Sequence, residues 1–294
     1  MKQPKELARF IESEVIRQYG AEKYLLRLFI TLRDTQLEDR ALSTILSVQQ
    51  TVLSNKAFGP YFVTTGVLGA LCDILERENN REVPEPGIVS SIAESTVDIF
   101  GWITEEVPLA EGAAILIREH NIFHLIARYI LHLSKTLTAR GLDYVLEFCR
   151  ANEHLGQRLA ARSGKNALRK DYQRALRQEW APLLIAPDNL HTLNHPDGVR
   201  IIKLVRQAWW RLGSVGAGFN EEKEKKEYEK RAEKMCSWRE CCWHTIEPPS
   251  PTKLCQGCGE ARYCGSPCQR RDWKGGHERA CRRLKNTSHH GPVP

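Results

Sequence analysis

Residues 236–281 read CSWRECCWHTIEPPSPTKLCQGCGEARYCGSPCQRRDWKGGHERAC and hold eight of the chain's ten cysteines. The spacing is Cys236-x4-Cys241-Cys242, then Cys255-x2-Cys258-x5-Cys264-x3-Cys268, then His277-x3-Cys281. Gaps this short put two side chains on one tight turn, aimed at one metal ion. Zinc takes four such ligands tetrahedrally, so eight ligands make two closed sites. A disulfide framework suits small secreted chains. The amino end, MKQPKELARF, argues against secretion, because it lacks an apolar core and carries Glu6, with Glu12 close behind. The segment has few large apolar side chains: Trp238, Trp243, Ile246, Leu254, Tyr263 and Trp273. Their burial falls well short of the entropy of ordering the backbone. Structural zinc contributes about 10–16 kcal/mol per site in small fingers, so metal binding and folding are one event here.

The order of ligands separates zinc families. A RING-type ladder needs a Cys-x-His-x2-Cys core in mid-sequence, and a two-Cys two-His finger needs paired histidines; neither is present. Through Cys255-x2-Cys258, Tyr263-Cys264-x3-Cys268-Gln269, Trp273 and His277-x3-Cys281, the segment resembles a MYND-type zinc finger. The resemblance covers about a sixth of the chain. It implies interleaved sites, with Cys236, Cys241, Cys264 and Cys268 on one zinc and Cys255, Cys258, His277 and Cys281 on the other. The second ligand is Cys241 or Cys242. Cys241 is preferred because the four residues between it and Cys236 lie within the usual zinc-knuckle range. His244 is a spare that more simply faces solvent.

Ser266-Pro267 marks a helix start, with Ser as cap and Pro at the first position. A short helix then runs through Cys268, Gln269 and Trp273 to Gly275-Gly276. Gln269 and Trp273, four apart, project from one face of it. Trp offers a flat apolar surface for a proline ring, and Gln a donor and an acceptor for a peptide backbone. The MYND resemblance implies the same two positions as part of a peptide groove. The competing reading has Trp273 filling the small core between the zinc sites.

Residues 1–219 carry helical periodicity almost throughout. Phe62, Val63, Val67, Leu71, Ile74 and Leu75 recur at steps of three and four. So do Ile122, Phe123, Ile126, Tyr129, Ile130 and Leu133, and again Ile201, Val205, Ala208, Leu212 and Val215. Breaks are expected at Asn79–Asn80 before Pro84 and Pro86, at Gly141, and across 187–196. With no strand alternation, the fold class is an all-α domain followed by a small two-zinc module. Gly66 and Asn121 each open an apolar helix, as in the last helix of an armadillo repeat. Their separation of 55 residues exceeds one regular repeat, so an irregular armadillo- or HEAT-like solenoid and a non-repeating bundle both remain open. Cys72 and Cys149, among apolar neighbours, read as small buried hydrophobes.

Residues 220–235 turn sharply to Glu and Lys. Glu221 with Lys225, Glu222 with Lys226 and Glu227 with Arg231 are pairs at the favourable spacing, and Asn220 suits an N-cap. This is a charged connector helix leading into the finger at 236–281, and 282–294 reads as a disordered tail.

The formal net charge of +7 falls to about +4 once seven thiolates and two Zn²⁺ are counted. That is too modest to argue for DNA. Arg162, Lys165, Arg169, Lys170, Arg174 and Arg177 form a dense basic set, better read as a solvated helix face than as a nucleic-acid footprint. The uncharged run Ala57–Cys72 is shorter than a membrane span. The expectation is a soluble intracellular protein of cytoplasm or nucleus, with two Zn²⁺ per chain and no membrane. Its expected function is that of a non-enzymatic adaptor whose finger binds proline-containing peptides of protein partners. A nucleic-acid-associated regulator is the alternative. A lysine methyltransferase ranks third: Asn194-His195-Pro196 comes nearest to its motifs, without the strands or Gly-rich segments such a domain needs.

Overall fold

The computed structural model describes residues 5–81, 88–106, 112–136, 139–161, 167–185, 198–244 and 248–281. The chain divides into two compact units, residues up to Asn220 and residues from Glu221 onward. Among the described residues no helix is long and apolar enough to cross a membrane.

The first unit is helical: α1 (Lys5–Phe10, continued as a π-helical stretch over Ile11–Tyr19), α2 (Ala21–Leu32), α3 (Asp39–Val52), α4 (Val67–Asn79), α5 (Ile88–Glu106), α6 (Gly112–Arg118), α7 (Ile122–Thr136), α8 (Ala139–Ala161), α9 (Ala167–Ile185) and α10 (Gly198–Arg211, continued as a π-helical stretch over Leu212–Ala217). The helices stack in two rows. α3 packs on α5, α5 on α8 and α8 on α10, while α2 packs on α4, α4 on α7 and α7 on α9. Polar pairs between successive helices recur 48 residues apart. Ser43 Oγ donates to Ser91 Oγ at 3.0 Å, Gln50 Nε2 to Asp98 Oδ2 at 3.1 Å, and Asn152 Nδ2 to Thr104 Oγ1 at 3.3 Å. In the other row Arg128 Nη2 donates to Asn80 Oδ1 at 2.7 Å. Other pairs across the same rows stand at other offsets, 45 residues for Arg150–Glu105 and 55 for His124–Glu179, so the helices stack without one regular repeat.

Gly66 and Asn121 hold equivalent places in this stack. Each precedes an apolar helix with positive φ, +73° at Gly66 and +44° at Asn121, which reverses the chain sharply into α4 and α7. Their helices bury the expected faces: Val67, Leu71, Ile74 and Leu75 on α4, and Ile122, Phe123, Ile126, Tyr129 and Ile130 on α7. The side chain of Leu133 lies outside the described residues. Phe62 is buried from the turns before α4 rather than from the helix itself.

Three expectations need correction. Val215 is 43% exposed, because the wider π turn after Arg211 rotates it away from the core and brings Gly213, Gly216 and Ala217 inward. Gly141 falls in the first turn of α8 rather than between helices. Leu254 is 46% exposed in the second unit and adds little core. The break at Asn79–Asn80 stands, since α4 ends at Asn79. Pro84, Pro86, residues 187–196 and the tail 282–294 lie outside the described residues.

The inward glycines of α10 allow close backbone approach. A Cβ at Gly213 would lie 2.1 Å from Trp180 Nε1, and one at Gly156 of α8 would lie 2.3 Å from the carbonyl oxygen of Gly216. Trp180 and Trp209 exchange indole N–H bonds to each other's carbonyls, at 2.8 and 3.3 Å, which locks α9 to α10. Cys72 and Cys149 are buried, and burial pushes both thiols far above their usual range, as suits inert core residues. In the basic set, Asp171 accepts from Arg118 at 2.6 Å and from Arg174, while the Arg177 guanidinium lies 4.8 Å over the Phe219 ring. Arg162 and Lys165 lie outside the described residues.

The second unit opens with α11 (Glu221–Ala232), where Lys225 reaches Glu221 at 2.5 Å. It continues through a two-stranded antiparallel ribbon, β1 (Lys253–Leu254) with β2 (Arg262–Tyr263), pairing Lys253 with Tyr263 and Leu254 with Arg262. It ends in α12 (Ser266–Asp272, then a π turn over Trp273–His277) and α13 (Glu278–Ala280).

Candidate metal centre

Short loops and the ribbon bring the ligands together. The Cys236 N–H donates to the Trp243 carbonyl at 2.9 Å, closing the loop that presents Cys236 and Cys241. His244 Nδ1 sits 2.7 Å from the Cys236 carbonyl, so His244 braces this loop instead of serving as a spare ligand. Ser237 joins the loop to β2: its N–H donates to the Arg262 carbonyl at 2.6 Å, and its Oγ accepts from the Arg262 N–H at 2.7 Å. The second loop, Cys255–Gly259, closes with the Gly259 N–H on the Cys255 carbonyl at 2.8 Å, and Gly259 takes φ +68°.

Gly265 rather than Ser266 caps α12; Ser266 is its first helical residue, with Pro267 following. Both fit a helix start, where the first N–H groups need no intrahelical acceptor. The π turn kinks at Gly276, with φ +132°, and delivers His277. The Cys281 N–H then donates to the His277 carbonyl at 2.7 Å, which sets these two side chains on one turn.

Two clusters result. Cys236, Cys241, Cys264 and Cys268 form one, and Cys255, Cys258, His277 and Cys281 the other; within each, the donor atoms all lie within 4.8 Å of one another. Around the first, the Sγ separations are 3.5 Å for Cys241–Cys264, 3.4 Å for Cys264–Cys268 and 3.6 Å for Cys241–Cys268. Around the second, Cys255 and Cys281 Sγ are 4.0 Å apart and Cys258 Sγ is 3.7 Å from His277 Nε2. Zn–S bonds of about 2.3 Å in a tetrahedron put ligand sulfurs about 3.8 Å apart. Disulfide sulfurs would stand at about 2.0 Å. The two clusters therefore fit two zinc ions. Cys242 is exposed and belongs to neither cluster.

The electrostatics of bare thiols lead to the same fit. Burial works against charge on Cys255, yet the Cys258 N–H, the His277 ring and the Gly257 N–H outweigh it and pull the pKa to about 6. Burial and the neighbouring Cys255 instead push Cys281 up to about 11. In the first cluster burial raises Cys241 far above its usual value and helps push Cys268 to about 11, while hydrogen bonds from Cys268 and Cys241 overcome burial and lower Cys264. Four thiolates cannot share one point unaided. A divalent cation removes that conflict, and zinc when bound supplies a structural cross-link.

The finger's own core is Tyr263 with Trp238, Trp243 and Ala261 around the buried cysteines. The Tyr263 hydroxyl donates to Asp272 Oδ2 at 2.6 Å and ties the ribbon to α12. Trp273 is half-buried, its ring edge-on to His277 at 5.9 Å, and it borders a cleft of about 670 Å3. Pro267, Gln269, Arg270, Arg271 and Lys274 complete the lining, so Gln269 and Trp273 share one surface. Two contributors escaped the sequence reading. Gly257 leaves the room that the Cys281 sulfur fills, for a Cβ there would lie 2.8 Å from it, and Arg271 lies 5.0 Å over the Trp238 ring. The glycine inside the Cys255–Cys258 turn was the available signal for the first.

The MYND finger family matches residues 234–281. Human Protein CBFA2T2 is 44% identical over 52 residues, a match covering 18% of this chain and 8% of that protein. The chain thus shares a short segment with this relative and spans little of its length. No solved structure matches the chain. The ligand spacing, the paired clusters and the family match agree, and residues 234–281 are a MYND finger, a zinc-binding protein-interaction module.

Proposed function

We propose that Cys236, Cys241, Cys264 and Cys268 hold one zinc ion and Cys255, Cys258, His277 and Cys281 the other, and that the finger so built binds short proline-containing segments of partner proteins. The observation that carries the peptide reading is the cleft on α12. It is bordered by Pro267 and the half-buried Trp273, and Gln269 beside them can bond an extended backbone. Trp238 and Trp243 pack against Tyr263 and the buried cysteines, whereas Trp273, equally half-buried, packs on His277 and borders the cleft.

The protein acts as a non-enzymatic adaptor. Each ligand set is complete with four protein donors, which leaves no open position for water or substrate. Residues 1–219 serve as a helical scaffold and 220–235 as a connector to the finger at 236–281. Ten thiols without a disulfide suit a reducing, intracellular compartment, cytoplasm or nucleus. A nucleic-acid role for residues 162–177 is weaker, since Asp171 engages two of the arginines around it.

Fluorescence anisotropy of the zinc-loaded full chain with a panel of proline-containing peptides and proline-to-alanine counterparts tests this reading. Proline-dependent binding that chelator abolishes is expected. Binding indifferent to proline, or surviving full zinc removal, overturns it.

A further inference from the structure

The cleft carries a charge pattern that an apolar proline pocket does not require. Its lining includes three cations, Arg270, Arg271 and Lys274, and no acidic residue. Among the described residues none of the three forms an ion pair. The closest carboxylate in sequence, Asp272, is committed elsewhere, accepting the Tyr263 hydroxyl at 2.6 Å. Arg271 is also held in place: its guanidinium lies over the Trp238 ring at 5.0 Å, a contact that orders the side chain and leaves its charge intact. Cations clustered on an exposed surface raise a positive potential over it, screened by salt. Guanidinium groups match carboxylates in shape and hydrogen-bonding pattern.

Resting on the peptide reading above, we propose that the α12 cleft selects proline-containing peptides that carry aspartate or glutamate beside the proline. Pro267 and Trp273 supply the apolar surface for the proline ring. Arg270, Arg271 and Lys274 at the cleft receive the flanking carboxylates. An adaptor built this way distinguishes acidic proline-containing segments from neutral ones, and rejects basic ones by like-charge repulsion.

The test uses the zinc-loaded full chain and four probes in fluorescence anisotropy: one proline-containing core flanked by Asp/Glu, by Asn/Gln or by Lys/Arg, and a single-stranded oligouridylate. At low salt the acidic peptide should bind about tenfold tighter than the neutral one, and the basic one weakest, each exposed pair contributing modestly. Raising salt to about 0.5 M should compress the series, because the screening length shortens. Arg270→Gln with Lys274→Gln should keep both zinc ions and narrow the ratio of acidic- to neutral-peptide affinity towards one, Arg271 alone remaining to receive a carboxylate. If acidic and neutral peptides bind equally, this inference fails and the peptide reading stands. If no peptide binds in a proline-dependent way, the peptide reading itself fails and takes this one with it. If the oligouridylate displaces the acidic peptide at physiological salt, the cations form a nucleic-acid surface and the inference is overturned.

Discussion

Gly257 and Cys281 meet inside the second cluster with no space to spare: a methyl group added at Gly257 would come within 2.8 Å of the Cys281 sulfur. The contact joins the Cys255–Cys258 turn to the last ligand of the finger. Gly257→Ala should therefore displace Cys281 and lower zinc content towards one per chain, while Gly275→Ala, where nothing lies within 4 Å, should keep two. Elemental analysis of purified protein checks both. Full zinc retention in Gly257→Ala would mean the second site tolerates that shift.

The first cluster includes Cys241 and leaves Cys242 exposed. Cys241→Ser should cost about one zinc equivalent and Cys242→Ser none. The reverse outcome, read by the same elemental analysis, would move the site by one residue.

Metal removal should separate the two units. Because the helical stack has its own buried core and the finger's core is little more than Tyr263 and ligand cysteines, chelation should unfold the finger and preserve most far-ultraviolet helical signal. A collapse of that signal on adding chelator would show that the helical unit depends on zinc.

In the stack, Asn121 holds φ +44° at the entry to α7. Asn121→Gly should be tolerated, whereas Asn121→Ala should be about 1–2 kcal/mol less stable than Asn121→Gly, because a Cβ crowds the following carbonyl oxygen in the left-handed region. Chemical denaturation of the two variants measures the difference, and equal stability would contradict the assigned role.

The zinc module was legible because metal ligation is local: pairs such as Cys255 and Cys258 need only a turn, and their spacing is written in the chain. That Gln269 and Trp273 border one cleft was legible for the same reason, the two lying four residues apart. The helical faces of α4 and α7 came from periodicity. The stacking order did not, because offset pairs such as Gln50–Asp98 and Thr104–Asn152 join ordinary polar residues that leave no pattern until the helices are in place. Val215 was misplaced since the π turn at 212–217 breaks the 3.6-residue period on which the expectation rested. The Arg271–Trp238 contact joins residues far apart in sequence, across the finger, and no local rule anticipates it.

On the proposed reading zinc builds the finger and Trp273 serves its peptide ligand. Trp273 bears on both roles, edge-on to His277 of the second cluster and bordering the α12 cleft. The direct measurement is zinc content and proline-peptide affinity determined together on full-length Trp273→Ala, with Gln269→Ala alongside. Both variants should retain two zinc ions. Peptide affinity should fall by about 0.5–1.5 kcal/mol in Gln269→Ala, the size of one hydrogen bond, and by more in Trp273→Ala. Loss of zinc from Trp273→Ala would make the residue part of the finger's core, and undiminished peptide binding by it would exclude Trp273 from the groove.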